Sequence, residues 1–586
     1  MSARYKTGFW VLSFGLWVYI ILRAIYSPFV FDEATTFLLY VHNNKIIPGD
    51  AFWSANNHIL NTALTWISYQ LLGPEEWQLR LPNVMAFPAF CYYLYKISLK
   101  LKDLSSRLLL VFGVFSGHIF LEMFGFSRGY GLSFAALAGA IYYGLNNLNE
   151  DILKNRVGLY LCNLLMLLAN LTLLPISLAL AALTLNYSLW NGRTKNQISG
   201  NFIFFGIPIG LAAFLSFQLK AKGELYYAAD NGFWGGSIKS LLQAFWFGDG
   251  QIYQIGLVTI LILFLFLLWR NFKKKTIHKT AIFNGLLFIT PFLFYPLAKL
   301  FFNVEYPLDR ALLYVPFLLI LSLAFALEFS QMSILAKSLV LAIVVGPFLY
   351  SFGSNTSLKK ATGFKWNTEQ IPDAFFEKLA ENKGTVGGYF LRRKCWEYLN
   401  IKSVVKANVL QISDYPGNTS DYQIINDYDL RLFEKDYTKV LTDRDSELLF
   451  MERKNKRMLQ DLISQSESKD LKNHPGFSKF QEIQIDTMFN PLRIDFRGTL
   501  KSKANPFNGL LAIAVIDHNG EQLLYEEIRL RNLYLEYGEQ QEISQSIYFA
   551  GDNSARVLKV LFWNKDDQDF EMKSFETSVY SSKVKE

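Results

Sequence analysis

Cysteine is nearly missing from this chain: there are three in 586 residues, with Cys91 and Cys162 inside apolar runs and Cys395 alone in a more polar region. That scarcity excludes a disulfide framework and a thiolate metal cage. Internal repeats and low-complexity tracts are also missing. No cleavable leader is visible, because the first apolar run, from Phe9, is too long and lacks a small-residue cleavage site after it; it is expected to remain as a first membrane span. Excess charge is modest, at +8, and its lysines sit mainly in loops, which suits a membrane surface better than nucleic acid.

What is abundant is apolar sequence: 51% of residues are hydrophobic and 16% aromatic. Runs near bilayer-spanning length, such as "FWVLSFGLWVYIILRAIY" and "QIYQIGLVTILILFLFLLW", follow one another from Phe9 to about Ser351, and charge density then rises. The expected fold class is an α-helical polytopic membrane domain over residues 1–351, followed by water-facing regions at 352–458 and 459–586. Arg4 and Lys6 precede the first span and place the N-terminus in the cytoplasm. The segment "NHILNTALTWISYQLLG" is short, with His58, Asn61, Thr62, Thr65 and Ser68 on one helical face, so it reads as an interfacial helix. Lys100, Lys102, Arg107, Lys154, Arg156, Arg193, Lys195 and Arg270 with its lysine cluster then all fall inside. About eleven spans result, and an odd number puts the C-terminal part outside.

Against this topology two groups stand out. Asp32 and Glu33 emerge on the outer side, begin an apolar helix near the membrane, and suit a helix start electrostatically. Partial burial would fit one of them to accept a proton. Arg80, Arg128 and Arg310 lie at outer boundaries where charge asymmetry gives no reason for a cation. Each has a local acid to pair with (Glu75 or Glu76, Glu122, Asp309). As a set, arginine forks on the same face as an acid pair suit phosphate oxygens.

These residues carry a family resemblance. The Asp32-Glu33 pair after the first span, "NNHIL", "LLGPEEWQLRLPNVMA" and "FSRGYGLSF" together resemble the GT-C membrane glycosyltransferases, in particular the protein O-mannosyltransferase and lipid A aminoarabinose transferase-like (family 39-like) group. The match covers about the first 145 residues closely and the remaining spans by pattern. The chain departs from the family in having "NHIL" where prolines are usual, and in placing Glu122 before Arg128 where many relatives carry an acid after the arginine. The resemblance implies an inverting enzyme of the inner (cytoplasmic) membrane, with a periplasmic C-terminal part. It would transfer a hexosyl or pentosyl group from a polyprenyl-phosphate donor to a protein, lipid or glycan on the outer face. By that analogy Asp32 is the base and Glu33 its neighbour at the catalytic centre. Arg128 and Arg310 would meet the leaving phosphate, with Asn57, His58, Arg80 and Tyr130 as further substrate contacts. No metal ligands are assigned, and assistance by Mg or Mn stays open.

Beyond residue 352 the pattern turns to a small α/β unit, with helix-like "IPDAFFEKLAENKG" stopped by Gly384 and strand-like "DYQIIND" and "SELLFMER". A charged stretch, "RKNKRMLQDLISQSESKDLKNHPG", reads as a linker. Strands then follow in "LRIDFRG", in "LLAIAVIDHNGEQLLYEEIRL" with its turn at His518-Asn519-Gly520, and in "ARVLKVLFW", as expected of a β-sandwich. Trp234 and Trp246 in the long outer loop are expected as interfacial anchors. A polytopic transporter or flippase with an outer glycan-binding domain is the alternative, although the charges gather at the outer boundary and no duplicated halves are visible.

Overall fold

The computed structural model describes residues 3–49, 51–148, 152–190, 195–225, 228–229, 232–246, 251–276, 278–360, 368–381, 386–389, 392–403, 420–455, 457–472, 476–485, 492–504, 507–530, 538–549 and 554–584. Gly384 lies outside these residues, as does the side chain of Trp246. The chain divides into two compact units, Met1–Ser27 with Ser54–Trp366, and Pro28–Trp53 with Asn367–Glu586.

The first unit is helical. It holds α1 (Ala3–Tyr26), then, after a segment belonging to the other unit, α3 (Ile59–Leu72), α4 (Glu76–Ser98), α5 (Leu104–Phe115), α6 (His118–Glu122), α7 (Tyr130–Asn147) and α8 (Leu153–Ala169). It continues with α9 (Leu174–Trp190), α10 (Lys195–Ala221), α11 (Lys239–Trp246), α12 (Gln251–Lys273), α13 (Lys279–Phe302), α14 (Tyr314–Glu328) and α15 (Ile334–Asn355). Seven helices, those containing α1, α9, α10, α12, α13, α14 and α15, are long and apolar enough to cross a membrane. The protein is therefore a multi-pass membrane protein. The expectation of about eleven spans also counted α4, α5, α7 and α8. Helix α7 is buried along most of its length by α4 and α8, so its sequence can carry Gly, Ser and Asn where a lipid-facing helix would need larger apolar side chains.

Helix α3 turns its polarity inside out. Asn61, Thr62, Thr65 and Ser68 are buried, whereas Ile67 and Leu71 are 45% and 76% exposed. A water-soluble protein would bury the opposite face, so this pattern fits a helix whose outer surface meets lipid. Its 14 residues extend about 21 Å, too short to span a bilayer.

The second unit combines a small α/β layer with a sandwich. In the former, β3 (Val386–Gly388) pairs parallel with β4 (Tyr422–Asn426), and β6 (Leu448–Arg453) and β5 (Tyr437–Asp443) complete the sheet in the order β3-β4-β6-β5. Helices α16 (Asp373–Glu381), α17 (Arg393–Lys402) and α18 (Leu430–Phe433) accompany it. The sandwich has one sheet ordered β13-β10-β15-β7, with β8 also on β15, and a second ordered β12-β11-β14-β9. These strands are β7 (Arg457–Gln465), β8 (Lys469–Lys472), β9 (Gly476–Gln484), β10 (Leu492–Ser502), β11 (Gly509–Asp517), β12 (Gln522–Arg529), β13 (Gln541–Phe549), β14 (Ala555–Asn564) and β15 (Phe570–Val584). Their inward residues, among them Ile494, Phe496, Ile513, Val560 and Phe575, form its core. The expected linker is thus a correction: β7 and β8 occupy it. They lie at the sheet margin, where few side chains are buried, so charged residues fit and the apolar alternation that marks a strand is lost.

The segment Pro28–Trp53 carries α2 (Phe31–Thr36) and a π-helical turn over Phe37–Val41, and it is built into this second unit. Phe52 packs against the sandwich core and also against Leu39, Tyr40 and Ala51. The acid pair and the C-terminal regions therefore lie on the same side of a membrane.

Candidate functional site

In the second unit, Asp32 and Glu33 occupy the first turn of α2 and are 8% and 1% exposed. Glu33 Oε2 accepts the Val30 N–H at 3.3 Å and so caps a backbone donor at the helix start. Asp32 is the less buried of the pair, and its backbone carbonyl takes the Thr36 hydroxyl at 3.0 Å. The abrupt change to π-helical geometry one turn later shifts the register of side chains after the acids, a distortion often found beside functional groups.

The floor beneath α2 is α17. The Tyr398 ring stacks on Phe29 with centroids 4.2 Å apart and meets Phe37 edge-on at 5.4 Å. The carbonyl of Glu369 accepts both the Phe31 N–H at 3.2 Å and the Cys395 thiol at 3.1 Å. Burial pushes that thiol well above its ordinary value, and the charges of Glu369, Glu33 and Asp32 add to the effect. Cys395 is therefore a neutral packing group, not a nucleophile. Nearby Arg392 donates to the carbonyls of Thr368 and Ile424 and to Asn426 Oδ1, and burial lowers its guanidinium to about 10. Glu397 is held below the ordinary carboxylate value: burial would raise it, but Lys394 and Arg393 prevail, each 2.9 Å away.

In the first unit, Asn57, His58, Arg128 and Tyr130 come together around the start of α3. His58 is its N-cap residue, and its imidazole leaves the helix to bond the Ala169 carbonyl at 2.7 Å through Nδ1. A carbonyl only accepts, so Nδ1 carries a proton. The His58 ring lies edge-on to Tyr130, centroids 5.1 Å apart. Arg128, 3% exposed, donates to the Asn56 side chain, and Thr62 Oγ1 donates to Asn57 Oδ1 at 2.9 Å. Gly129 makes this closure possible, since a Cβ there would run into the Ala169 carbonyl oxygen that holds His58 and would stand 2.8 Å from the His58 Cβ. The buried face of α3 supports the same turn, with Asn61 Nδ2 donating to the Ser127 carbonyl at 3.2 Å and Thr65 meeting the Ser127 hydroxyl at 3.1 Å.

Arg80 and Arg310 are placed elsewhere in that unit. Arg80 is fully buried and closes the C-terminus of α1, with Nη1 2.7 Å from the Ser27 carbonyl and 3.1 Å from that of Ala24. It ties α4 to α1, whereas the sequence suggests a substrate contact or a tie between the interfacial helix and the second span. Arg310 is half-buried in the 3₁₀ turn Asp309–Leu312 before α14, beside α11, and its own N–H is capped by Asp309.

Two features carry little sequence signal. Glu122, the acid nearest Arg128 in sequence, is bound to Arg23 at 2.5 Å, and Tyr19 joins His118 at 2.9 Å beside them. Arg23 and Tyr19 also grip the Ser357 carbonyl, so this cluster anchors the chain where it leaves α15. Among α11 to α15 lies an entirely apolar, partly open cleft of about 70 Å³, lined by residues including Trp234, Phe288, Phe292, Leu319, Val344 and Phe348. Among the described residues, no group of three or more His, Cys, Asp and Glu is arranged to hold a metal ion.

No protein-family model matches the sequence, and no curated protein matches it. Among solved structures, ArnT from Cupriavidus metallidurans bound to undecaprenyl phosphate is similar at 10% identity and a TM-score of 0.44, over 77% of this chain and 98% of that one. The arabinosyltransferase EmbB from Mycobacterium smegmatis is similar at 9% identity and a TM-score of 0.41, over 100% of this chain and 65% of that one. The arabinofuranosyltransferase AftD from Mycobacteria gives 10% identity and 0.40, over 100% and 62%. Likenesses of this size carry no argument about activity, and the functional reading rests on the residues above.

Proposed function

We propose that the chain is an integral membrane glycosyltransferase that moves a sugar from a polyprenyl-phosphate donor to an acceptor on the outer face of the cytoplasmic membrane. The observation that carries this reading is the burial of two adjacent carboxylates in the first turn of α2: Glu33 accepts the Val30 N–H, and Asp32, the less buried of the two, is assigned as the proton acceptor. A polyprenyl-phosphate sugar is already activated, so the protein must hold the phosphate, deprotonate the acceptor hydroxyl and present it opposite the leaving group. Arg128 and Arg310 are assigned to the phosphate, whose negative charge grows as the glycosidic bond breaks. Asn57, His58 and Tyr130 offer amide, imidazole and phenol contacts of the kind that orient a sugar. Arg80 serves the site through the fold. The apolar cleft suits the isoprenoid tail, because its lining holds nothing polar to desolvate. Attack by the acceptor on the face opposite the phosphate inverts the anomeric centre. With no cluster to hold a metal among the described residues, no step is assigned to one.

The test is single-turnover transfer from a radiolabelled polyprenyl-phosphate sugar by the purified protein in lipid nanodiscs. Transfer of label that depends on Asp32 supports the reading. Movement of intact donor across the bilayer without transfer would establish a flippase in its place.

A further inference from the structure

One aromatic residue of the C-terminal unit holds both ends of the acid helix. Phe29 precedes Asp32 by three residues and Phe37 follows Glu33 by four, and the Tyr398 ring contacts both, face to face with the first and edge-on to the second. Tyr398 is fully buried, and Phe29 and Phe37 are 5% and 1% exposed, so the three rings form a closed contact. The Glu369 carbonyl secures the same segment through the Phe31 N–H while accepting from Cys395, one turn before Tyr398 on α17. Helix α2 has only 6 residues, and a helix so short has little stability of its own, so its direction must come from what it packs against.

We infer that Tyr398 is a positioning residue for catalysis, which makes the C-terminal unit part of the transferase centre and not an appended module. This rests on the reading that Asp32 takes the acceptor proton. A base works only where its oxygen reaches the hydroxyl, and a displacement of about 1 Å can cost about 10²-fold in rate. Stacked and edge-on rings resist such displacement because both lose area and favourable geometry together when the helix tilts. The clamp is made by the ring contacts with Phe29 and Phe37, which a phenylalanine at position 398 would preserve.

The experiment compares full-length wild type, Tyr398→Phe and Tyr398→Ala in nanodiscs by hydrogen exchange, donor binding and single-turnover transfer. In Tyr398→Ala, amides of residues 28–41 should exchange about tenfold faster or more while those of the sandwich strand 492–502 stay protected. Transfer should fall by about 10–10²-fold with donor affinity within about twofold of wild type. Tyr398→Phe, which keeps both ring contacts, should leave 28–41 protected and lose much less transfer than Tyr398→Ala. Unchanged protection of 28–41 in Tyr398→Ala, or a phenylalanine variant as impaired as the alanine variant, overturns the inference. If Tyr398→Ala does not fold, Phe29→Leu removes half of the clamp and the same outcomes apply. Exchange reports on positioning without reference to activity, so a loosened 28–41 segment together with an active Asp32→Asn enzyme would uphold the clamp and reject Asp32 as base.

Discussion

At the residue scale, adjacency on a helix separates the two acids. Successive side chains diverge by about 100°, so one carboxylate can face the cap while the other faces a substrate. Asp32→Asn keeps size and hydrogen-bonding shape but removes the proton acceptor, and transfer should fall by about 10²–10⁴-fold with donor binding retained. Glu33→Gln keeps an acceptor oxygen for the Val30 N–H and should cost much less; single-turnover rates of the two variants decide between them. Gly129→Ala tests the turn that holds His58. Its new methyl would run into the Ala169 carbonyl as well as His58, so backbone and imidazole must both shift; melting in detergent should fall, and in the folded fraction KM for the donor should rise more than kcat falls if His58 orients the sugar. Glu397 offers a pH readout. Its carboxyl lies below the ordinary value of 4.5 in the folded protein, so its contribution to stability is present above that value and disappears as pH falls through the lower folded one. Melting of the C-terminal unit, followed by hydrogen exchange of α17, should therefore separate wild type from Glu397→Gln at pH 6 and bring them together towards pH 3.

At the element scale, what the sequence made legible was whatever depends on local period. The polar face of α3, the strands around Ile494, Ile513 and Val560, and the turn at His518-Asn519-Gly520 all follow from alternation or helical spacing, and all are found. Features fixed by distant partners were not legible. Arg80 looks in the sequence like a boundary cation because the carbonyls it caps, at Ala24 and Ser27, lie more than fifty residues earlier. Strand β15 pairs with β10 across the sheet, yet polar Thr577 and Ser581 are buried on it along with Met572, Phe575 and Val579, which blurs the apolar alternation. The contacts of Phe29 and Phe37 with Tyr398 likewise join residues more than three hundred and fifty positions apart. Loss of the Arg80 tie should act on the fold before chemistry. Arg80→Ala strands buried carbonyls at the end of α1, with a cost of about 3 kcal/mol, and should lower thermal stability in detergent while the folded fraction binds donor normally. Arg310→Ala should do the reverse, weakening donor binding with little change in melting, since a half-buried turn residue leaves no core cavity.

At the scale of the whole molecule, the chain's path constrains which side of the membrane does the chemistry. Residues 28–53 leave α1 and join the core formed by residues 367–586, so the chain on both sides of the helical series from α3 to α15 contributes to one body. That is possible only if the number of crossings between them returns the chain to the same side. Basic residues at 270 and 273–275 end α12 and should face the cytoplasm, where positive charge is retained during insertion. Single cysteines introduced at Asn56, Asn519 and Lys274 in a background lacking Cys91, Cys162 and Cys395 test this arrangement in intact cells. A membrane-impermeant maleimide should label positions 56 and 519 from outside and reach position 274 only after the membrane is opened. Labelling of 56 and 519 from opposite sides would contradict the shared body. Labelling of both only after opening would keep that body but put Asp32 in the cytoplasm, and would exclude transfer on the outer face.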